Sequence, residues 1–189
     1  LTESGGPACL ISPDDALKRI GSTGKAFFHT QVKVVNEDGS LASPGEPGEL
    51  LVRGRHIMKE YWGNPEATRE TIRDGWLYTG DVAIADEDGF ITIHDRVKDM
   101  IISGGENVYP AELENVIMAH PGVAEVAVIG MESERWGESP FAVVVAKDGT
   151  ALTEADVLGH CDGKMARFKM PKGAAFVDAI PRNPTGKAL

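Results

Sequence analysis

The chain has 189 residues, 42% of them hydrophobic, which suits a medium domain or a domain with a smaller companion and supplies a real core. Its 19 basic and 29 acidic residues leave a net charge of −10, which argues against a general nucleic-acid or anionic-membrane surface, because such binding rests on phosphate neutralisation. No apolar run approaches the ~20 residues that span a bilayer, no basic and apolar leader opens the sequence, and the two cysteines, Cys9 and Cys161, form neither a disulfide framework nor a metal site. The expectation is a protein of the reducing cytoplasm with no transmembrane segment.

In chain order, residues 31–35 alternate in polarity and run into the turn Asn36-Glu37-Asp38-Gly39. The turn-rich stretch 43–48 leads into a second predicted strand, residues 49–54. A short helix is predicted over 65–73, with Asn64 as N-cap and Pro65 at the first helical position. Residues 76–84 and 90–94 read as strands around the turn Asp86-Glu87-Asp88-Gly89. The first half is therefore mainly β.

After Arg96 the pattern changes. A short strand at 100–102 closes in the loop 103–107. A helix over 110–120 places Leu113, Val116 and Ile117 on one face and stops at Pro121-Gly122. Strands follow at 123–131 and 141–146, then a helix over 153–165 capped by Thr153, then a strand at 174–180. The order β-α-β-β-α-β makes a small module with both helices on one face of its sheet. The expected fold class is α+β, with a β-rich segment at 1–95, the small module at 96–189, and the boundary near Asp95 to Lys98. No internal repeat or low-complexity segment interrupts either part.

Several residues have a physical case for chemistry. Asp81, just after a glycine in Tyr78-Thr79-Gly80-Asp81, is a carboxylate able to accept two vicinal hydroxyls, although a turn-capping role is the favoured reading when it stands alone. Ser103-Gly104-Gly105 lets backbone approach a passing ligand, or makes a tight turn. The basic run Lys164, Arg167, Lys169 and Lys172, continued by Arg182 and Lys187, reads from charge alone as a solvated face. Pro184-Thr185-Gly186-Lys187 is no P-loop, because position 181 is Pro and Ala188 follows the lysine. Hydrolase triads, HExxH and CxxC patterns are missing from the sequence.

Taken together, three motifs in order are far more specific than their parts. Tyr78-Thr79-Gly80-Asp81 is followed by the long run from Asp95-Arg96-Val97-Lys98 through Ser103-Gly104-Gly105-Glu106-Asn107-Val108-Tyr109-Pro110 to Glu114. Pro181-Arg182-Asn183-Pro184-Thr185-Gly186-Lys187 comes last. With Glu49-Leu50-Leu51-Val52-Arg53-Gly54 and Trp136-Gly137-Glu138, the chain resembles, over essentially its whole length, the acyl-CoA synthetases of the adenylate-forming enzymes. Leu1-Thr2-Glu3 is similar to the end of that family's Tyr-Gly-x-Thr-Glu motif, so the expectation is the C-terminal portion of a longer protein.

The resemblance implies ATP, magnesium and CoA as cofactor and substrates, and a carboxylic acid activated first as an acyl-adenylate and then as a thioester. It implies that Asp81 holds the ribose hydroxyls with support from Arg96, that Thr2 lies near the α-phosphate, and that Glu3 helps place magnesium. Lys187 becomes the adenylation lysine, a compact cation offsetting charge at the phosphoryl centre. Lys98 becomes the hinge of a mobile C-terminal lid, since a hinge needs only to absorb backbone change. Gly104 and Gly105 line the passage for the pantetheine arm. By the same resemblance, Trp136 and Phe168 would pack against the CoA nucleotide, and Lys169 and Lys172 would meet its phosphates. Met170 departs from relatives that carry Arg there.

Within the superfamily, Ser103 to Pro110 favour an acyl-CoA synthetase over a peptide-synthetase or luciferase-like enzyme. A medium- or long-chain fatty acid is the expected substrate, with aryl acids close behind. These 189 residues alone are expected to be inactive. A non-catalytic folded fragment or interaction module is the alternative of a different class.

Overall fold

Turn chemistry punctuates the chain of this computed structural model, which describes residues 1–183. The chain separates into two units, Leu1–Lys98 and Asp99–Leu189. In the first, β1 (Cys9–Leu10), the short α1 (Pro13–Ala16), β2 (Ser22–Ala26), β3 (Thr30–Val35) and β4 (Pro47–Gly54) precede α2 (Pro65–Thr71). Then come β5 (Ile72–Arg73), β6 (Trp76–Ala85) and β7 (Ile91–Arg96). These strands form a 7-stranded antiparallel sheet in the order β1-β2-β7-β6-β4-β3, with β5 on β6. Val34, Leu50, Val52, Ala83 and Ile91 form its core.

Two differences from the sequence reading have local causes. Helix α2 starts as expected, with the Asn64 side chain accepting from Ala67 N at 3.1 Å and Pro65 at its head, but it ends at Thr71. Asp74 and Gly75 both take positive φ, 51° and 76°, so the pair makes a tight hairpin that pulls Ile72 and Arg73 into pairing with Leu77 and Trp76. Strand β7 runs past His94 to Arg96, which places Arg96 opposite Asp81 on β6.

The second unit holds β8 (Ile101–Ser103), β9 (Glu106–Val108), α3 (Pro110–Met118), β10 (Val123–Ser133), β11 (Gly137–Ala146), α4 (Glu154–Cys161) and β12 (Ala174–Phe176). Its 5-stranded sheet has the order β10-β11-β8-β9, with β12 parallel to β11. Leu113 and Ile117 from α3 and Val157 and Cys161 from α4 share one core with Val128, Ala142 and Val144, so both helices lie against one face of this sheet. Pro110 presets the start of α3, and Thr153 and Asp156 close a capping box on α4. Helix α4 stops at Cys161 instead of 165, before Gly163 at φ 73°, and β12 is three residues long instead of seven.

Residues 103–107 were expected as a loop, yet Glu106–Val108 is a strand paired with Ile101–Ser103. Gly104 and Gly105, at φ 63° and 84°, form the two-residue turn between them. Positive φ at both central positions suits the right-handed twist of a hairpin and favours glycine. Among the described residues, no helix is long and apolar enough to cross a membrane.

Candidate functional site

In the first unit, a β-bulge presents Asp81. Glu49 pairs with Val82 and Leu51 with Tyr78, so Thr79, Gly80 and Asp81 together stand opposite Leu50. Gly80 takes φ 69° with open space where a Cβ would stand, so backbone conformation rather than crowding calls for glycine here. The buried Thr79 hydroxyl donates to Leu50 O at 2.7 Å and accepts from Asp81 N at 3.1 Å, while Gly80 N donates to the Glu49 carboxylate at 3.0 Å. The re-aimed Asp81 carboxylate meets Arg96 Nε at 2.8 Å, with 20% of its side chain exposed against 43% for Arg96. The structure thus brings two sequence-singled residues together.

Thr2 and Glu3 lie in a 3₁₀ turn, Thr2–Ser4. Glu3 Oε1 accepts from the Tyr61 hydroxyl at 2.9 Å, and Glu3 O accepts from Met58 N at 2.8 Å. Burial first, then the hydrogen bond with Glu3, raises the pKa of the Tyr61 phenol. Sequence reasoning missed Tyr61, whose partner lies 58 residues away. No group of three or more His, Cys, Asp or Glu gathers among the described residues. Glu3 fits magnesium only in the mode where one carboxylate joins substrate phosphates and water around the ion. Lys98 is exposed in the 3₁₀ turn Val97–Asp99 that follows β7. Lys187 lies outside the described residues.

In the second unit, a pocket of about 380 Å³ is lined by Ser103, Gly104, Glu106, Trp136, Arg167, Phe168 and Lys172. Gly104 N donates to Trp136 O at 2.8 Å, and a Cβ on Gly104 would lie 2.8 Å from the indole. Trp136 and Phe168 are each 41% exposed, and Arg135 stacks 4.6 Å above the indole. The pocket offers two aromatic faces, two cations and a glycine wall, an arrangement that suits a heteroaromatic ring carrying phosphates. Gly105 and Lys169, also singled out in the sequence, do not line it. Lys169 Nζ instead meets Glu112 Oε2 at 2.6 Å. A wider depression of about 750 Å³ in the first unit, around Phe27, Phe28, His29 and His56, contains none of the residues the motifs point to.

Comparison with known proteins gives these sites a setting. The profile of the AMP-binding enzymes matches residues 1–62, and that of the AMP-binding enzyme C-terminal domain matches residues 112–187. The chain is 50% identical over all 189 residues to the long-chain-fatty-acid–CoA ligase FadD13 of Mycobacterium tuberculosis, covering 37% of that protein. It is 44% identical to a 2-succinylbenzoate–CoA ligase of Bacillus cereus, covering 39% of it. Among solved structures, o-succinylbenzoate CoA synthetase (MenE) from Bacillus subtilis, in complex with its acyl-adenylate intermediate, superposes with a TM-score of 0.94 at 37% identity. That match covers 100% of this chain and 38% of the synthetase. The chain thus spans well under half the length of the relatives it matches. With both profiles matched in order and 50% identity to one of these ligases along all 189 residues of this chain, the chain belongs to the AMP-binding enzyme family.

Proposed function

We propose that this chain is part of a longer ATP-dependent acyl-CoA ligase that makes an acyl-adenylate and pyrophosphate from ATP and a carboxylic acid, then a thioester and AMP from CoA. The observation that carries this reading is the Asp81–Arg96 pair on its bulge. A carboxylate oriented by a guanidinium is suited to the vicinal hydroxyls of a ribose. The pocket between Gly104, Trp136, Phe168 and Lys172 supports a place for the CoA nucleotide, with stacking from the rings and phosphate contact from Arg167 and Lys172.

In this reading, Thr2 and Glu3 face the phosphates and magnesium, with Tyr61 holding one Glu3 oxygen. Magnesium would neutralise phosphate charge there. Lys187 offsets the charge that builds at the α-phosphorus as the carboxylate attacks, and its loss costs on the order of 10²–10³ in the rate of that step. Lys98 is the hinge between the two half-reactions, and residues 99–189 form the lid that turns about it.

A fatty acid is the preferred acid, supported by the relative at 50% identity named for long-chain fatty acids. An aryl acid is the second reading, favoured by the relatives at 44% identity named for 2-succinylbenzoate. Pyrophosphate release from ATP with a panel of fatty and aryl acids tests both. The longer protein is expected to respond to fatty acids and the 189-residue chain to none. Robust turnover by the chain alone would overturn the reading that it is one part of the catalyst, and silence from the longer protein with every acid would overturn the ligase reading.

A further inference from the structure

Two walls of the Trp136 pocket come from separate parts of the second unit. One is the β8–β9 hairpin with Ser103, Gly104 and Glu106, and the other is the segment between α4 and β12 with Arg167, Phe168 and Lys172. Met165 and Met170 pack on the core, and Lys172 N donates to Pro140 O at 2.8 Å, so both flanks of the second wall are anchored. Between them, Ala166 to Lys169 form a tight turn closed by Lys169 N to Ala166 O at 2.9 Å. Packing does not fix that turn, since Phe168 is exposed. Its charged attachment is Lys169 Nζ to Glu112 Oε2, 2.6 Å across 57 residues of sequence.

Glu112 lies in the first turn of α3, the helix that follows β9 after Tyr109. The pair therefore ties the turn bearing Arg167 and Phe168 to the helix that continues the hairpin wall.

We propose that Glu112 is a positioning residue for this pocket, acting through Lys169 as a clasp that sets its width, while Lys172 and Arg167 meet the ligand's phosphates. The proposal rests on the reading of the pocket as a CoA site. It assigns Lys169 to the protein rather than to the ligand.

The test is CoA binding to the 189-residue chain by calorimetry, with backbone amide shifts of Arg167 and Phe168 as a ligand-independent readout. Glu112→Gln and Lys169→Met should each weaken CoA binding about 1.5- to fivefold, the range for losing one partly exposed ion pair. The double variant should bind no more weakly than either single one. Exchange of the charges, Glu112→Lys with Lys169→Glu, should recover part of the loss, and the two amides should move in both single variants without CoA. If Lys169 instead contacts a CoA phosphate, Glu112→Gln frees its ammonium and tightens binding, which would overturn the clasp. Unmoved amides with unchanged CoA affinity in Glu112→Gln would also overturn it and leave the pocket reading intact. Absence of CoA binding by the unaltered chain would overturn the pocket reading, and the proposal with it.

Discussion

Adding one methyl group at Gly104 separates what the β8–β9 hairpin does for folding from what it does for a ligand. Gly104 takes φ 63°, and an added Cβ would stand 2.8 Å from Trp136 Cε3, well inside van der Waals contact. An alanine in the left-handed region costs about 1–2 kcal/mol in backbone strain. The indole is 41% exposed, so it can swing away, and the clash should add little to the unfolding free energy. It should, however, remove one aromatic wall of the pocket, and stacking of a base on an aromatic ring is worth about 1–3 kcal/mol. Gly104→Ala should therefore destabilise the chain by about 1–2 kcal/mol in urea unfolding and weaken CoA binding about tenfold or more. Gly105→Ala is the internal control. It shares the positive φ, 84°, but has nothing within 4 Å of the added Cβ, so it should show a similar stability loss and nearly unchanged CoA affinity. Equal loss of CoA affinity in both variants would refute the role given to Trp136, since strain alone would then explain it.

Thr79→Val removes a buried hydroxyl that serves Leu50 O and Asp81 N at once. It should cost about 1–3 kcal/mol in urea unfolding, because two backbone groups lose a partner; a cost near zero would mean that the bulge holds without it. Burial first, then the charges of Lys164 and His120, hold the His160 pKa below its ordinary value. The fold therefore disfavours protonated His160. Its contribution to stability is present above the ordinary histidine value of about 6.5 and is lost as pH falls through that value toward the lowered folded-state one. Unfolding midpoints should drop between pH 8 and 5, and His160→Gln should flatten that drop; an unchanged slope would remove His160 as its source.

Where local chemistry dictates structure, the sequence is readable. The Asn64-Pro65 start of α2, the Thr153 cap of α4 and the Leu113, Val116, Ile117 stripe of α3 each follow from interactions within a turn or two of helix. The misses are of two kinds. Some signals are local: Asp74-Gly75 and Gly104-Gly105 are both hairpin dipeptides, and paired strands flank each where a helix end or a loop was expected. Others are not local at all. Strands β1 and β2 lack alternation and exist because β2 pairs with β7 and β1 with β2. The bulge that aims Asp81 arises from a register shift against β4. Tyr61 on Glu3 and Lys169 on Glu112 join residues 58 and 57 positions apart, beyond what spacing reveals. The motifs marked Lys169 as one of several cations, whereas geometry alone separates it from Lys172, which lines the pocket.

In the proposed reading, one longer protein carries out two half-reactions and uses Lys187 in only the first. The most direct measurement compares both halves in the longer protein and its Lys187→Ala variant: pyrophosphate release from ATP and acid, and thioester formation from a supplied acyl-adenylate and CoA. Adenylation should fall by about 10²–10³ with thioester formation retained. Equal loss of both halves, or retention of both, would contradict that reading.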